Sequence, residues 1–285
     1  MVAVMREGLN PLRDERLDFM IPPDVPVVAI ITHLPKLQGY HEYRLEIVQA
    51  AIESAYQNAG VDHHFIVWDN GSCDELRARL YLDSNKYNVI FSPNIGKMNA
   101  INRIYGMYNG SVISISDDDI LHYPGWLQPQ IDVLEAYDAA MVTGCVTRHY
   151  MKYKHLYGFR WARENRVRLE VDGDVPLKWD LQHGESIGKD AEFSKMIYQH
   201  IPATRMVYNG VVARVGGCHC QFLGRADTLR PFFPITDRYM QPLYPVDIAI
   251  DEARLLRLMT ENRLTRHLGN RLTDEDRKEI SNVVG

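Results

Sequence analysis

The chain has 285 residues, of which 46% are hydrophobic and 24% charged. That balance excludes a disordered or low-complexity polypeptide and leaves enough apolar side chains for a sizeable core. With 32 Lys and Arg against 37 Asp and Glu, the net charge is -5, so the molecule as a whole has no electrostatic pull toward nucleic acid or anionic lipid. No apolar run approaches the roughly 20 residues that span a bilayer. The leader over residues 1–25 mixes Arg6, Glu7, Arg13, Asp14, Glu15 and Arg16 and has no signal-peptide core. The expectation is a cytoplasmic protein with no transmembrane segment, peripheral association with a membrane being left open.

In chain order, Val27–Thr32 is a continuous β-branched apolar run, as expected of a strand covered on both faces. From His41 to Ala59, apolar residues at Leu45, Val48, Ile52, Ala55, Tyr56 and Ala59 line one helical face, with Gly60 as the stop. A second strand, Phe65–Trp68, breaks off at Asp69-Asn70-Gly71-Ser72 and leads into a polar helix over Asp74–Leu82. A third, Asn88–Phe91, ends at Ser92-Pro93-Asn94-Ile95-Gly96 before a helix carrying Met98, Ile101, Tyr105 and Tyr108. A fourth, Val112–Ile115, ends at Ser116-Asp117-Asp118-Asp119. Such alternation predicts an α/β fold with right-handed crossovers and a mainly parallel central sheet flanked by helices. In such a sheet ligands sit beyond the carboxyl ends of the strands, so Thr32, Asp69, Asn94 and Asp117 to Asp119 should line one crevice. Past residue 145 the pattern loosens. Tyr and basic residues crowd Arg148–Arg168, Gly184–Asp190 reads as a loop, and helix signals return at Asp251–Met259 and Thr273–Val283.

The acidic triplet is the most informative cluster. Adjacent carboxylates at the end of a buried strand repel one another and lose hydration, so they call for a hard cation such as Mg²⁺ or Mn²⁺ unless they stay in water. Asp69-Asn70-Gly71-Ser72 by itself reads as a turn and helix cap; a carboxylate there could also accept an N–H from a uracil or guanine ring, with Gly71 permitting close approach. Gly96 and Lys97, opening a helix, would offer free backbone N–H groups and one cation to a phosphate or sugar hydroxyl.

On these residues the chain resembles a glycosyltransferase of the GT-A fold, most similar to family 2, over roughly residues 26–145, with a weaker match near 215–260. The resemblance implies that Asp117-Asp118-Asp119 is the family's Asp-X-Asp element, with Asp117 and Asp119 as metal ligands for Mn²⁺ or Mg²⁺. It also implies that Thr32, Asp69, Asn70, Gly71, Asn94, Gly96, Lys97, Asn99, Asp117 and Asp118 contact the donor, a nucleotide sugar with UDP preferred over GDP. Pro124-Gly125-Trp126-Leu127 has the family's look as well. Residues 26–145 would then be the nucleotide-sugar-binding half, 146–270 the acceptor-side half of the same domain, and 271–285 a C-terminal helix or tail. The acceptor would be a glycan, a lipid-linked glycan or a small molecule.

Transfer needs a base within reach of the acceptor hydroxyl. Inverting members of the family carry an acidic pair starting a helix late in the domain. The segment around Ile250-Asp251-Glu252-Ala253 is nearest to it, which implies Asp251, then Glu252, then Asp247 as the base. The bland alternative is that the two acids complement a helix N-terminus. A retaining enzyme is the alternative if they lie far from the reaction centre.

Gly216–Arg225 resembles the stretch lining the sugar and acceptor side, Arg225 matching a strand-end residue before the acidic helix. His219 or His267 could add a metal ligand, and Trp126, Trp161 and Trp179 could stack on a sugar, although buried histidine and tryptophan are the ordinary readings. Cys73, Cys145, Cys218 and Cys220 lack the paired spacing of a structural zinc site and read as reduced thiols. A sugar-nucleotide nucleotidyltransferase is disfavoured because Thr32-His33-Leu34-Pro35-Lys36-Leu37 is not a Gly-rich phosphate loop. A non-catalytic binding module is disfavoured because a binder has no need of the acidic triplet.

Overall fold

The computed structural model describes residues 25–108, 110–151, 157–172, 175–236 and 243–285. The polar leader therefore lies outside the described residues, except for Val25.

The first half alternates as its periodicity demands: β1 (Val27–Thr32), α1 (Arg44–Gln57), β2 (His64–Asn70), α2 (Asp74–Leu82), β3 (Asn88–Ser92), α3 (Lys97–Met107) and β4 (Val112–Asp117). These strands are parallel, in the order β3-β2-β1-β4. β1 shows why its sequence is apolar at every position. Val28 and Ile30 pack into the core beneath α1, while Val27, Ala29 and Ile31 face α3 on the opposite side. Each fully buried valine or isoleucine among them stabilises the fold by about 1.5–3 kcal/mol. Register then sets the crevice, because Thr32 lies opposite Asp69 and Ile31 opposite Asp117.

The chain continues through β5 (Ile120–His122), α4 (Gln128–Tyr137), β6 (Met141–Thr143), α5 (Tyr157–Glu164), β7 (Leu169–Asp172), α6 (Leu177–Ser186) and α7 (Ala191–His200). It then forms β8 (Ala203–Tyr208), β9 (Val211–Val215), β10 (Gln221–Arg225), α8 (Ala226–Leu229), α9 (Tyr244–Glu252), β11 (Arg257–Thr260), β12 (Thr265–His267) and α10 (Asp274–Val284). One ten-stranded sheet runs through both halves in the order β3-β2-β1-β4-β10-β6-β11-β9-β8-β7. Strands β1, β2, β3, β4, β6, β8 and β11 point one way, and β10, β9 and β7 the other. β5 and β12 form a separate antiparallel ladder, with His267 opposite Ile120.

Two expectations past residue 145 need correction. Gly184–Ser186 is the last turn of α6 rather than loop. Gly184 is buried there because a Cβ would lie 2.0 Å from Ser194 Oγ on the neighbouring α7, so the residue that looked like a turn signal lets two helices pack closely. The expected helix over Asp251–Met259 is in fact the end of α9 followed by a strand. Arg254 adopts a left-handed backbone, φ 59°, which stops the helix, and Arg257–Met259 then pair in parallel with β6. The C-terminal helix forms as expected, and its Thr273 and Asp276 make a reciprocal capping box. Among the described residues, no helix is long and apolar enough to cross a membrane.

Candidate active site

Asp117 ends β4, and the chain turns at once into β5, so three consecutive carboxylates leave the sheet within a few residues. They take different partners. Asp117 pairs with Lys97, the first residue of α3. Asp118 accepts the His33 backbone N–H at 3.2 Å and pairs with the Arg44 guanidinium. Asp119 accepts from Arg44 Nη1 at 3.1 Å through Oδ2. Burial opposes the charge on both cations. Asp118 and Asp119 outweigh it at Arg44, and Asp117 outweighs it at Lys97, so both stay protonated above their ordinary range.

The second oxygen of Asp119 differs. Oδ1 is buried without a hydrogen-bond partner and faces His267 Nε2 at 3.5 Å. The far side of that ring fixes its tautomer. Ser186 Oγ donates to the His183 carbonyl at 2.8 Å, so it accepts from His267 Nδ1 at 2.9 Å. In the neutral ring Nε2 would then aim a lone pair at a carboxylate oxygen, an arrangement that takes a cation between the two atoms, whereas the protonated ring is itself the donor to Oδ1. Burial lowers the His267 pKa, but Asp119, Cys220 and Asp117 outweigh it and the net shift is upward. Among the described residues, no three His, Cys, Asp or Glu side chains form a metal cage. A carboxylate oxygen and an imidazole nitrogen nevertheless suit Mn²⁺, and such ions commonly take their remaining ligands from substrate phosphates and water. The donor set at Asp119 and His267 fits the divalent cation that the sequence implies.

The ends of β1, β2 and β3 close round the same point. Thr32 is fully buried, and its Oγ1 has no hydrogen-bond partner. His33 donates from Nδ1 to the Asn70 carbonyl at 3.1 Å and accepts from Asn94 Nδ2 at 3.4 Å. Asn70 Oδ1 accepts the Ile95 N–H at 2.9 Å, and Asn94 Oδ1 accepts the Gly96 N–H at 3.0 Å. Gly71, φ 79°, is required here because a Cβ would lie 2.6 Å from the Asn94 nitrogen. Asp69 is wholly buried; Oδ1 accepts the Ser72 N–H at 3.1 Å, and Oδ2 lies 3.3 Å from Arg77 Nε. Asn99 is committed elsewhere, with Oδ1 accepting the Thr236 N–H at 2.7 Å.

The acids of α9 fall in unexpected places. Asp251 lies at the C-terminal end of the helix. Its Oδ1 accepts the Tyr157 N–H at 3.0 Å, and its Oδ2 accepts from Arg257 Nε and Nη2 at 3.2 and 2.7 Å. Glu252 is exposed. Asp247 is the acid in the first turn of α9. Its Oδ2 accepts from His219 Nδ1 at 2.9 Å, and its Oδ1 lies 3.1 Å from Arg257 Nη1. The next residue after His219 brings this pair to the trio, since the Cys220 carbonyl accepts the Asp117 N–H at 2.8 Å. Arg225 lies at the opposite end of β10, beside Val112, and is remote from the trio.

Cys145, Cys218 and Cys220 are buried free thiols. Burial pushes the Cys218 pKa up, and the Cys218 side chain together with burial does so for Cys220, which holds both protonated. Trp126 is buried against His122 with ring centroids 4.5 Å apart, and Trp161 packs on Tyr137 and Tyr208. Sequence reasoning missed Arg44, His33 and Ser186. A signal existed for Arg44, which stands four residues before Val48 and so places a charge on the buried stripe of α1.

The family model for glycosyl transferase family 2 matches residues 40–185, a little over half of the chain. Among solved structures, TarS of S. aureus is similar at 12% identity, with a TM-score of 0.43, covering 91% of this chain and 39% of that one. The mannosyltransferase PcManGT of Pyrobaculum calidifontis, in complex with GDP-Man and Mn²⁺, is 17% identical with a TM-score of 0.32, covering 45% of this chain and 39% of that one. GalNAc-T7 with UDP, GalNAc and Mn²⁺ is 15% identical with a TM-score of 0.30, covering 42% and 22%. This chain thus spans about two fifths of the TarS chain it resembles. Comparison with curated proteins finds no match. The chain belongs to glycosyl transferase family 2 and has the α/β GT-A fold of that family.

Proposed function

We propose that the protein transfers a sugar from a nucleoside diphosphate sugar to a hydroxyl of a glycan, lipid-linked or small-molecule acceptor, with inversion at the anomeric carbon. The observation that carries the reading is Asp119 Oδ1, buried without a hydrogen bond and facing His267 Nε2 at 3.5 Å, at the sheet edge where the strand ends carrying Thr32, Asp69 and Asp117 lie side by side. Asp119 and His267 would hold Mn²⁺ or Mg²⁺, with Asp117 beside them. When bound, that cation supplies charge neutralisation for the leaving nucleoside diphosphate. Lys97 and the free N–H groups opening α3 add positive potential at the same place. Asp69, Asn70 and Asn94 form the wall for the base and ribose, uridine ahead of guanosine. Asp118, held by Arg44 and the His33 N–H, keeps the β1 and β4 loops together. Residues 26–145 serve the donor and 146–270 the acceptor.

For the base we favour Asp247 over Asp251 and Glu252. It occupies the helix start where the family's acidic pair belongs, and His219 links it to the trio. Arg257 fixes its carboxylate, and Asp251 in turn fixes Arg257.

Incubation with a panel of nucleotide sugars and Mn²⁺, following release of the nucleoside diphosphate, tests the reading. Metal-dependent release is expected. Failure to bind either UDP or GDP would overturn it. Release that survives EDTA would support a second reading, favoured by the ion pairs at the trio, in which Lys97 and Arg44 do the neutralising without a metal.

A further inference from the structure

Against the His267 ring lies a narrow pocket with room for about one water molecule. Its walls include Arg263, Arg266, His183, His267, Trp179 and Thr147, and no carboxylate lines it. Arg263 is held only by neutral groups. Nη1 donates to Gln182 Oε1 at 2.8 Å and Nη2 to Tyr123 Oη at 3.2 Å, while the guanidinium lies 5.0 Å from the Trp179 ring centre and 5.7 Å from that of Tyr123. Among the described residues, no Asp or Glu pairs with it. Arg266 gives its two terminal nitrogens to Asp276 and Glu279, but its Nε–H is buried without a partner. Burial pushes the Arg263 pKa down; Tyr123 offsets part of that fall and Arg266 adds to it. By contrast, Arg44 and Arg257 each meet two carboxylates.

We propose that this pocket receives one oxygen of an oxyanion, phosphate or carboxylate, carried by the acceptor. An anionic oxygen would take the Arg266 Nε–H and the unused edge of Arg263, and the pocket is too narrow for a whole sugar. His267 is a shared wall, which sets the bound anion one ring away from Asp119 and orients the acceptor toward the reaction centre. The inference rests on the transferase reading for its word "acceptor".

The test titrates the full-length protein with inorganic phosphate and, separately, with acetate at constant ionic strength. Tryptophan emission is followed, and Trp179→Phe identifies the reporting ring. Saturable quenching is expected, weakened about 10- to 100-fold in Arg263→Gln. Arg263→Lys keeps the charge without the fork and should fall between; it also keeps the question open to measurement should the Gln variant fail to fold. Tighter binding of phosphate indicates a phosphorylated acceptor and tighter binding of acetate a carboxylated one. No saturable signal with either ion, or equal affinity in the wild type and both variants, overturns the proposal. So does displacement of phosphate by UDP, which would give the pocket to the donor. Failure of the transferase reading shows separately, as absence of UDP and GDP binding by the wild-type protein.

Discussion

At the trio, three carboxylates meet Arg44 and Lys97, yet Asp119 Oδ1 makes no hydrogen bond, and Lys97 is about one third exposed. At the junction of α9 and β11, Asp247 and Asp251 meet Arg257 and His219, and both oxygens of Asp251 are engaged. The first arrangement can rearrange, because a lysine one third exposed can swing away and one carboxylate oxygen is free of hydrogen bonds. The second is locked, with Arg257 almost fully buried. Buried pairs of that kind hold geometry more than they add stability, and losing one partner is costly. The site thus joins an adaptable acidic trio to a rigid ion-paired junction.

Substitution within the locked junction separates chemistry from scaffolding. Asp247→Asn should lower kcat about 10²- to 10⁴-fold as expected for loss of a general base, whereas Asp251→Asn should mainly lower the unfolding free energy; a larger kcat loss at Asp251 would return the base to that residue. Arg257→Met should cost about 3–5 kcal/mol in urea unfolding because it strands two buried carboxylates. At the adaptable end, Asp119→Asn should lower kcat/KM about 10²- to 10³-fold, in line with losing one electrostatic stabiliser, and weaken Mn²⁺ binding by calorimetry.

The smallest effect compares two imidazoles on the β5–β12 ladder. His267 is held up by Asp119, while burial pulls His122 down to about 3 from 6.5. A ring that is neutral when folded takes up its proton on unfolding. His122 therefore contributes full stability above about pH 6.5 and loses about 1.4 kcal/mol per unit as the pH falls toward 3. Denaturation at pH 7 and pH 5 should show His122→Phe losing less than the wild type over that interval.

The parallel half was legible because β1, β2 and β4 are buried almost throughout, so apolar composition marks them together with the strand-end polar clusters, while β3 at the sheet edge is only partly covered. The other half was harder for physical reasons. Ile250, Leu255 and Leu258 sit at spacings that a helix would accept, and only the left-handed turn at Arg254 and pairing with β6 decide otherwise. The link from Asp247 to the trio is likewise tertiary, since it depends on where His219 and β10 lie, which no local pattern encodes. The partners of the trio were hidden for the same reason, since Arg44 reaches Asp118 and Asp119 from a different helix.

The seating of β10 between β4 and β6 has a consequence for any attempt to split the molecule. A piece ending near residue 145 would leave the edge of β4 bare, with the backbone groups that meet Gln221–Arg225 open to another copy. Nascent chains face the same gap until β10 emerges from the ribosome, so completion of the sheet beside the acidic trio is a late, non-local folding event.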